Sequence, residues 1–511
     1  MSVAHPLKRS WAYLDQHSGL MASCVFVLSL MVYIPTLAPG LLWGGGDFAA
    51  FQTRVLTGEG IRGGIFGHSL WIILSRPFIW LPIRDVAYRA NLASAVYAAA
   101  ALAFVFLSAR RLTRAAAPAL LGTAALLVSH TFWTYAVMPK VYSLNALLLA
   151  LCVYCLLRWG DQRRALYLYL FAVIYALSLM NHLVMATAAL GFGVYIALIA
   201  RRNFDRAMLT QVCVGAALFV LGLVPYFLIS ESSGDTGDTV LTIGSFLGGL
   251  AQLITQPASL LLGLGIGAAL LLYQFPLSFV AGLIGLRAIG RQDRSAAWLL
   301  LLIAAGDVAF MLAAIDPRIG GEYVWNLHYY LQLYVIYSLW IAIGLKDLWP
   351  HVTLSRLRQT LTVLAVVAAP IVLYLLTPIV VRPFLSNIPA FRELRGRDNI
   401  TYVLSPWKQD ETGPMEFTNA AFAALPYGST LFADYSLYSM FNYRQVVDHM
   451  RPDVKLIDLS VPGEQLPLLL ARQDQGYLYL ADTNRYYAID VFKQYFDIVP
   501  EGPLYRLIPK P

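Results

Sequence analysis

Apolar residues fall into long, nearly unbroken runs separated by short polar connections, and this pattern holds from the amino terminus to about residue 381. A bilayer core takes about 20 apolar residues per helix. By that rule the chain predicts eleven spans, near 20–37, 87–108, 116–134, 142–159, 165–180, 183–200, 208–230, 258–288, 296–314, 329–345 and 359–381. Two stretches of the first connection break the pattern. "DFAAFQTRVLTGEG" places Phe48, Phe51 and Val55 on one side of a short amphipathic helix that ends near Gly58. "HSLWIILSRPFIWL", His68 to Leu81, is apolar but short and carries Arg76 and Pro77, so it reads as a helix lying along the membrane interface. From Arg382 onward the rhythm is that of a soluble domain. Strand-like "TYVL", "STLFADY", "VKLIDL" and "YLYL" alternate with helix-like "MEFTNAAFAAL" and "GEQLPLLLARQ". The expectation is an α-helical polytopic domain over 1–381, with 38–86 as its first outer loop, followed by a soluble α/β domain over 382–511.

Charge gives this arrangement a direction. If the segment after His68 does not cross, the short basic connections around Lys8/Arg9, Arg110/Arg111/Arg114, Arg158/Arg163/Arg164, Arg201/Arg202/Arg206, Arg287/Arg291/Arg294 and Lys346/Arg356/Arg358 all share one side. Short basic loops stay in the cytoplasm, so the amino terminus is predicted inside, and the first loop and the C-terminal domain outside. In a bacterial cell this means the inner membrane, with the domain in the periplasm or outside the cell. The lipid bilayer is thus the first partner.

Composition agrees. Of 511 residues, 59% are hydrophobic and 13% charged, with a mean hydropathy of +0.62, more apolar surface than a soluble protein of this size can bury. The formal net charge of +8 would hint at nucleic acid in a soluble chain; here it is spent on orientation, and no nucleic-acid partner is expected. Cys24, Cys152, Cys155 and Cys213 all lie inside apolar runs, which excludes a disulfide framework. The first apolar run is as long as a span and lacks a small-residue cleavage pattern, so it reads as an uncleaved helix. There is no P-loop, dinucleotide fingerprint, H-E-x-x-H or G-x-S-x-G motif, which argues against a nucleotide-driven pump.

Candidate chemistry gathers at the outer ends of the spans. Asp47 follows three glycines and opens the amphipathic helix. It fits an N-cap, and a carboxylate kept ionised by a helix N-terminus also fits a base that takes a proton from a hydroxyl nucleophile. Cations and histidines recur on the same side: Arg54, Arg62, His68, Arg76, Arg84, Arg89, Lys140, His182, Arg318 and His328. Singly, each fits an interfacial side chain. Together they suit an anionic lipid headgroup, since an uncompensated phosphate in a low-dielectric cleft is costly. Arg62, Arg89, Lys140 and His182 are the candidates for donor phosphate; His68, Tyr142, Arg318, Glu322 and His328 are those for other substrate contacts. Asn91, beside Arg89, is placed to reach the first loop. Asp316, Glu322 and His328 in "DPRIGGEYVWNLHYYL" leave a divalent metal open, without a spacing specific for one. No motif requires a cofactor, and no metal ligand is assigned.

The pieces "TLAPGLLWGGGDF", "LPIRDVAYRANLASA", "SHTFWTYAVMPKVYSLNALLLAL", "ALSLMNHL", "HYYLQLYVIYSLWIAIGL", "RDNITYVLSPWK" and "ADYSLYSMFNYRQVVDHMRPDVKLIDLS" resemble, in order and spacing, the bacterial multi-span family related to the transmembrane O-mannosyltransferase of animals. More broadly the chain resembles the GT-C class of glycosyltransferases. It departs from the family pattern at three places. "GGGDF" keeps one carboxylate of a D-S-G-E-F pattern, "GGIFGHSLW" replaces H-P-P-G-Y-P-L-Y, and Lys140 stands where a Glu is usual.

The resemblance implies a GT-C-like fold and an inverting hexosyl transfer, with mannose as the family-based sugar. The donor would be a polyprenyl-phosphate-linked sugar, and the acceptor a protein, lipid or glycan on the outer side. The alternative is a non-catalytic binder or transporter of lipid-linked glycan on the same scaffold. With Asp47 as base, Asp47→Asn should lower in vitro transfer from a polyprenyl-phospho-sugar by about 100-fold or more at unchanged protein level. Full activity in that variant would overturn the assignment.

Overall fold

In the computed structural model of the chain, the structure describes residues 17–44, 48–62, 68–229, 248–249, 251, 255–315, 318, 326–348, 356–385, 394, 397–459, 476–484, 487 and 489–510. Among these, eight helices are long and apolar enough to cross a membrane: Val86–Thr113, Val141–Gln162, Leu183–Ala200, Arg206–Ile229, Pro257–Gln274, Arg294–Ala314, His328–Leu348 and Gln359–Val381. A ninth crossing is supplied if the pair Ala116–Leu127 and His130–Ala136, bent by 69°, counts as one. The chain is an integral membrane protein.

Three expected spans look different in three dimensions. Ser18–Tyr33 and Ala165–Asn181 are helices of 16 and 17 residues, which at 1.5 Å per residue reach about 24–26 Å against a core of about 30 Å. The single span expected over 258–288 is two helices, Pro257–Gln274 and Phe279–Gln292. The break at Phe275–Ser278 contains Pro276, which cannot donate a backbone hydrogen bond. Ser69–Ser75 and the 3₁₀ turn Arg76–Trp80 together are too short to cross.

The bundle is tight where small residues meet. A Cβ on Gly285 would lie 1.8 Å from the Trp340 carbonyl oxygen, and one on Gly344 would lie 1.8 Å from that of Ala281. The Phe279–Gln292 helix therefore packs backbone to backbone against Leu331–Leu348. Tyr337 seals the contact by donating its hydroxyl to the Phe279 carbonyl at 2.7 Å.

The C-terminal region carries a five-stranded mixed sheet in the order β2-β1-β3-β5-β4, built from β1 (Thr430–Ala433), β2 (Lys455–Asp458), β3 (Leu478–Leu480), β4 (Phe496–Glu501) and β5 (Leu504–Pro509). β1 pairs in parallel with β2 and β3; β5 pairs antiparallel with β3 and β4. "STLFADY", "VKLIDL" and "YLYL" are strands as expected, and "MEFTNAAFAAL" is helical within Gly413–Ala424. "TYVL" is not a strand. It lies in the helix Asn399–Leu404, because the Asp398 carboxylate accepts the N–H groups of Ile400 and Thr401 and starts a helical turn there. "GEQLPLLLARQ" lies outside the described residues.

This region does not hang free of the membrane helices. Lys408 N–H donates to the Thr36 carbonyl at 2.9 Å, Ala87 N–H to the Tyr443 hydroxyl at 2.9 Å, and the Trp43 indole to Glu411 at 2.7 Å. One buried core runs through both regions.

The glycine contact supplies a test of the bundle. Gly285→Ala should cost about 1–3 kcal/mol through overpacking and lower the thermal midpoint in detergent. Gly290→Ala, whose Cβ meets nothing within 4 Å, should leave the midpoint unchanged or raise it.

Candidate functional site

The site is built on the segment after the first helix. Residues 38–43 run without regular structure through the core, where Leu41, Leu42 and Trp43 are fully buried. Buried backbone amides need partners, and two side-chain amides provide them. Gln52 accepts from Leu42 N–H at 3.1 Å and donates to the Gly40 carbonyl at 3.0 Å and to Asn91 at 2.9 Å. Asn91 donates to the carbonyls of Ala38 and Gly40 at 3.0 and 3.1 Å. Gly44 then passes so close to the C-terminal region that a Cβ would lie 1.9 Å from the Ser436 carbonyl. Asp47 lies outside the described residues, but its flanks are fixed: Gly44 on one side, and on the other Phe48, the first residue of the helix Phe48–Thr57.

Next to that helix, side chains from four connections converge. His68, His182, His328 and Lys140 come from parts of the sequence as far apart as residues 68 and 328, and their rings and charges form one group. The His68 and His182 rings stack at 5.2 Å. Tyr142 lies 5.6 Å from His182 and 4.2 Å from His328. Tyr329 contacts His182 at 5.8 Å and His328 at 4.4 Å. The Tyr135 hydroxyl is 3.0 Å from His328 Nδ1. Phe51 joins the group to the helix after Asp47, with its ring 5.6 Å from His68 and 4.8 Å from Lys140 Nζ. The 4.8 Å contact is of cation–π type. Lys140 itself is buried and stands at the N-cap of Val141–Gln162.

Hydrogen bonds set what each imidazole presents. Val184 N–H donates to His182 Nδ1 at 3.1 Å, so the proton of the neutral ring sits on Nε2. His68 Nδ1 faces the Asn181 carbonyl at 2.9 Å, an acceptor only, so that nitrogen carries the proton and Nε2 is the acceptor of the neutral ring. Burial, followed by the proximity of His68, His328 and Lys140, holds His182 well below the ordinary histidine range. The group thus combines one buried ammonium with an imidazole that stays neutral at physiological pH. Such a set suits a phosphate at the lysine and hydroxyl groups at the rings.

The other candidates fall elsewhere. Arg89 donates to the carbonyls of Ile79, Ile83 and Arg84 at 2.5–2.6 Å, so it shapes the loop before Val86–Thr113 and its guanidinium is engaged there. Arg62 and Arg318 are exposed. Glu322 lies outside the described residues. Among the described residues no group of histidine, cysteine and carboxylate side chains is placed to hold a metal ion. Sequence reasoning passed over Gln52 and Tyr135 as site residues. Gln52 had a signal, being a polar residue four positions after Phe48, on the apolar face of its helix.

A second buried cluster closes the loop from above. Besides its bond from Trp43, Glu411 is held above the ordinary carboxylate range by burial. Lys408 donates to the carbonyls of Ser405 at 2.5 Å and Trp407 at 3.2 Å and lies 5.0 Å from the Tyr402 ring. Burial outweighs these contacts and the attraction of Glu411, and brings the ammonium down to about 7.

Comparison with known proteins places this geometry. Residues 66–205 match the family described as the Protein O-mannosyl-transferase TMEM260 N-terminal domain. ArnT from Cupriavidus metallidurans in the apo state superimposes with a TM-score of 0.57 at 12% identity, covering 98% of both chains. The fold is that of the GT-C glycosyltransferases. The same GT-C match extends to ArnT from Cupriavidus metallidurans bound to undecaprenyl phosphate, with a TM-score of 0.52, 14% identity, and 96% of this chain and 97% of that one covered. The oligosaccharyltransferase of Archaeoglobus fulgidus tethered to an acceptor peptide gives 0.50 at 10% identity, over 98% of this chain and 75% of that one. No curated protein matches the chain in sequence. On the GT-C scaffold, the family-matched segment contains His68, Lys140, Tyr142 and His182.

The closing cluster gives a pH prediction. Lys408 has a lower proton affinity folded, near 7, than unfolded, near the ordinary lysine value of 10.5. Between those values the unfolded chain binds more protons, so this lysine makes stability rise with pH across the window. Lys408→Met should raise the thermal midpoint at pH 7, and its advantage should shrink toward pH 10.

Proposed function

We propose that the chain is a glycosyltransferase that takes a hexose from a polyprenyl-phosphate-linked donor and passes it to an acceptor on the extracytoplasmic side of a bacterial inner membrane. The observation that carries this reading is the convergence of Lys140 with His68, His182, His328 and Tyr142 beside the helix that starts after Asp47. The GT-C fold supports it, as does the undecaprenyl phosphate bound to one ArnT structure. The match to an O-mannosyl-transferase domain favours mannose as the sugar. The orientation rests on the charge distribution of the connections.

In the mechanism, Lys140 faces the donor phosphate and offsets the charge that develops on it as the glycosidic bond breaks. His182 Nε2–H and His68 Nε2 offer a donor and an acceptor to hydroxyl groups of the donor. Asp47 takes the proton of the incoming nucleophile, and attack from the side opposite the phosphate inverts the anomeric carbon. The C-terminal region, packed over residues 36–44, forms the wall along which the acceptor approaches. Arg89 holds the loop through three backbone carbonyls.

The test is transfer of radiolabelled sugar from a polyprenyl-phospho-hexose to acceptors in membranes containing the protein. Lys140→Met should lower kcat by about 100-fold or more, the cost of removing an electrostatic contact made to the leaving group. His182→Ala should act mainly on KM. If labelled lipid is bound or moved across the membrane and no covalent product forms, the chain is a carrier on this scaffold and the enzyme reading falls.

A further inference from the structure

Asp307 lies within the membrane span Arg294–Ala314 and is fully buried. One carboxyl oxygen accepts the backbone N–H of Leu333 at 2.9 Å. The other has no hydrogen-bond partner among the described residues. Leu333 stands where the 3₁₀ turn Leu327–Tyr330 passes into the helix Leu331–Leu348, and the first N–H groups of a helix have no acceptor within it. Asp307 supplies one from a neighbouring helix. The junction it holds carries His328 and Tyr329.

The adjacent residue ties the same junction to a second part of the site. Gln332, also buried, donates to the Val184 carbonyl at 2.9 Å and lies 3.4 Å from the Thr187 hydroxyl. Val184 in turn donates its N–H to His182. Two consecutive residues of one helix are thus anchored, Leu333 to Asp307 and Gln332 to the turn after His182. A shift of this junction would change the spacing of His328, Tyr142 and His182 together.

We propose that Asp307 is a positioning residue of the site: by accepting Leu333 N–H it fixes the helix junction that sets His328 and Tyr329 against His182 and Tyr142. An amide has the same shape and the same acceptor; a leucine has the volume and no acceptor, and strands the N–H. This assignment rests on the reading of the histidine group as a substrate site, and it is tested by a readout that needs no turnover.

The experiment follows carbethoxylation of individual histidines by diethyl pyrocarbonate in the full-length protein in detergent, resolved by mass spectrometry, together with sugar transfer. Asp307→Leu should change the modification rates of His328 and His182 by about threefold or more, as expected when a packed segment loosens locally, and leave His449 unchanged. Asp307→Asn should match the parent at all three. Gln332→Leu should shift His328 and His182 in the same way as Asp307→Leu. If Asp307→Leu does not fold, Asp307→Ser, too short to reach Leu333, takes its place with the same expectation. Unchanged histidine rates in the Leu or Ser variant overturn the positioning role, and altered rates in the Asn variant overturn the accepted hydrogen bond as its basis. Altered rates in the Leu variant of a protein that shows no transfer in its parent form would keep the positioning role and remove the enzyme reading.

Discussion

Two buried amides, Gln52 and Asn91, hold the geometry of the site. Residues 38–43 cross the protein interior with no helix or sheet to satisfy their backbone groups, and an unsatisfied buried amide or carbonyl is expensive. The two side chains supply acceptors and donors to Ala38, Gly40 and Leu42, and bond to each other. One comes from the helix Phe48–Thr57 and one from the span Val86–Thr113. Their contact sets the distance between the segment leading to Asp47 and the bundle that brings Lys140 and the three histidines. Either amide replaced by an apolar group would strand several backbone groups at once.

Among the described residues, the site sets one lysine beside three histidines. Lys140 is a compact, strongly hydrated cation when free; here its Nζ lies over the Phe51 ring, and its backbone N–H donates to the Ser94 hydroxyl at 3.4 Å. Burial holds His182 well below the ordinary histidine range, and His68, His328 and Lys140 add to it in that order. His182 is thus a hydrogen-bonding group instead of a cation. Among the described residues of this group, a phosphate entering the site would meet Lys140, and the sugar would meet the imidazole and phenol groups around it.

The sequence made the spans legible because an apolar run of sufficient length has few other uses. It misjudged them where local chemistry interrupts the run: Pro276 divides one expected span into two helices, and Asp398 turns the β-branched stretch "TYVL" into a helical turn. The C-terminal hairpin of β4 and β5 was passed over because its strands are half exposed and lack a clear alternation. Within the site, Lys140, Tyr142, His68, His182 and His328 were each visible as polar or aromatic residues at the ends of spans. Their meeting was not, because periodicity describes one element at a time and says nothing about which connections share a corner of the bundle. Arg89 shows the converse: a cation in the right connection, turned back by three carbonyls of its own loop.

The docking of the C-terminal region also orders the life of the chain. Thr36, Trp43, Gly44 and Ala87 leave the ribosome long before their partners Lys408, Glu411, Ser436 and Tyr443. The contacts that close over residues 36–44 therefore form only after the membrane helices between them have been synthesised. A chain cut short before residue 408 would keep its spans and lack these contacts.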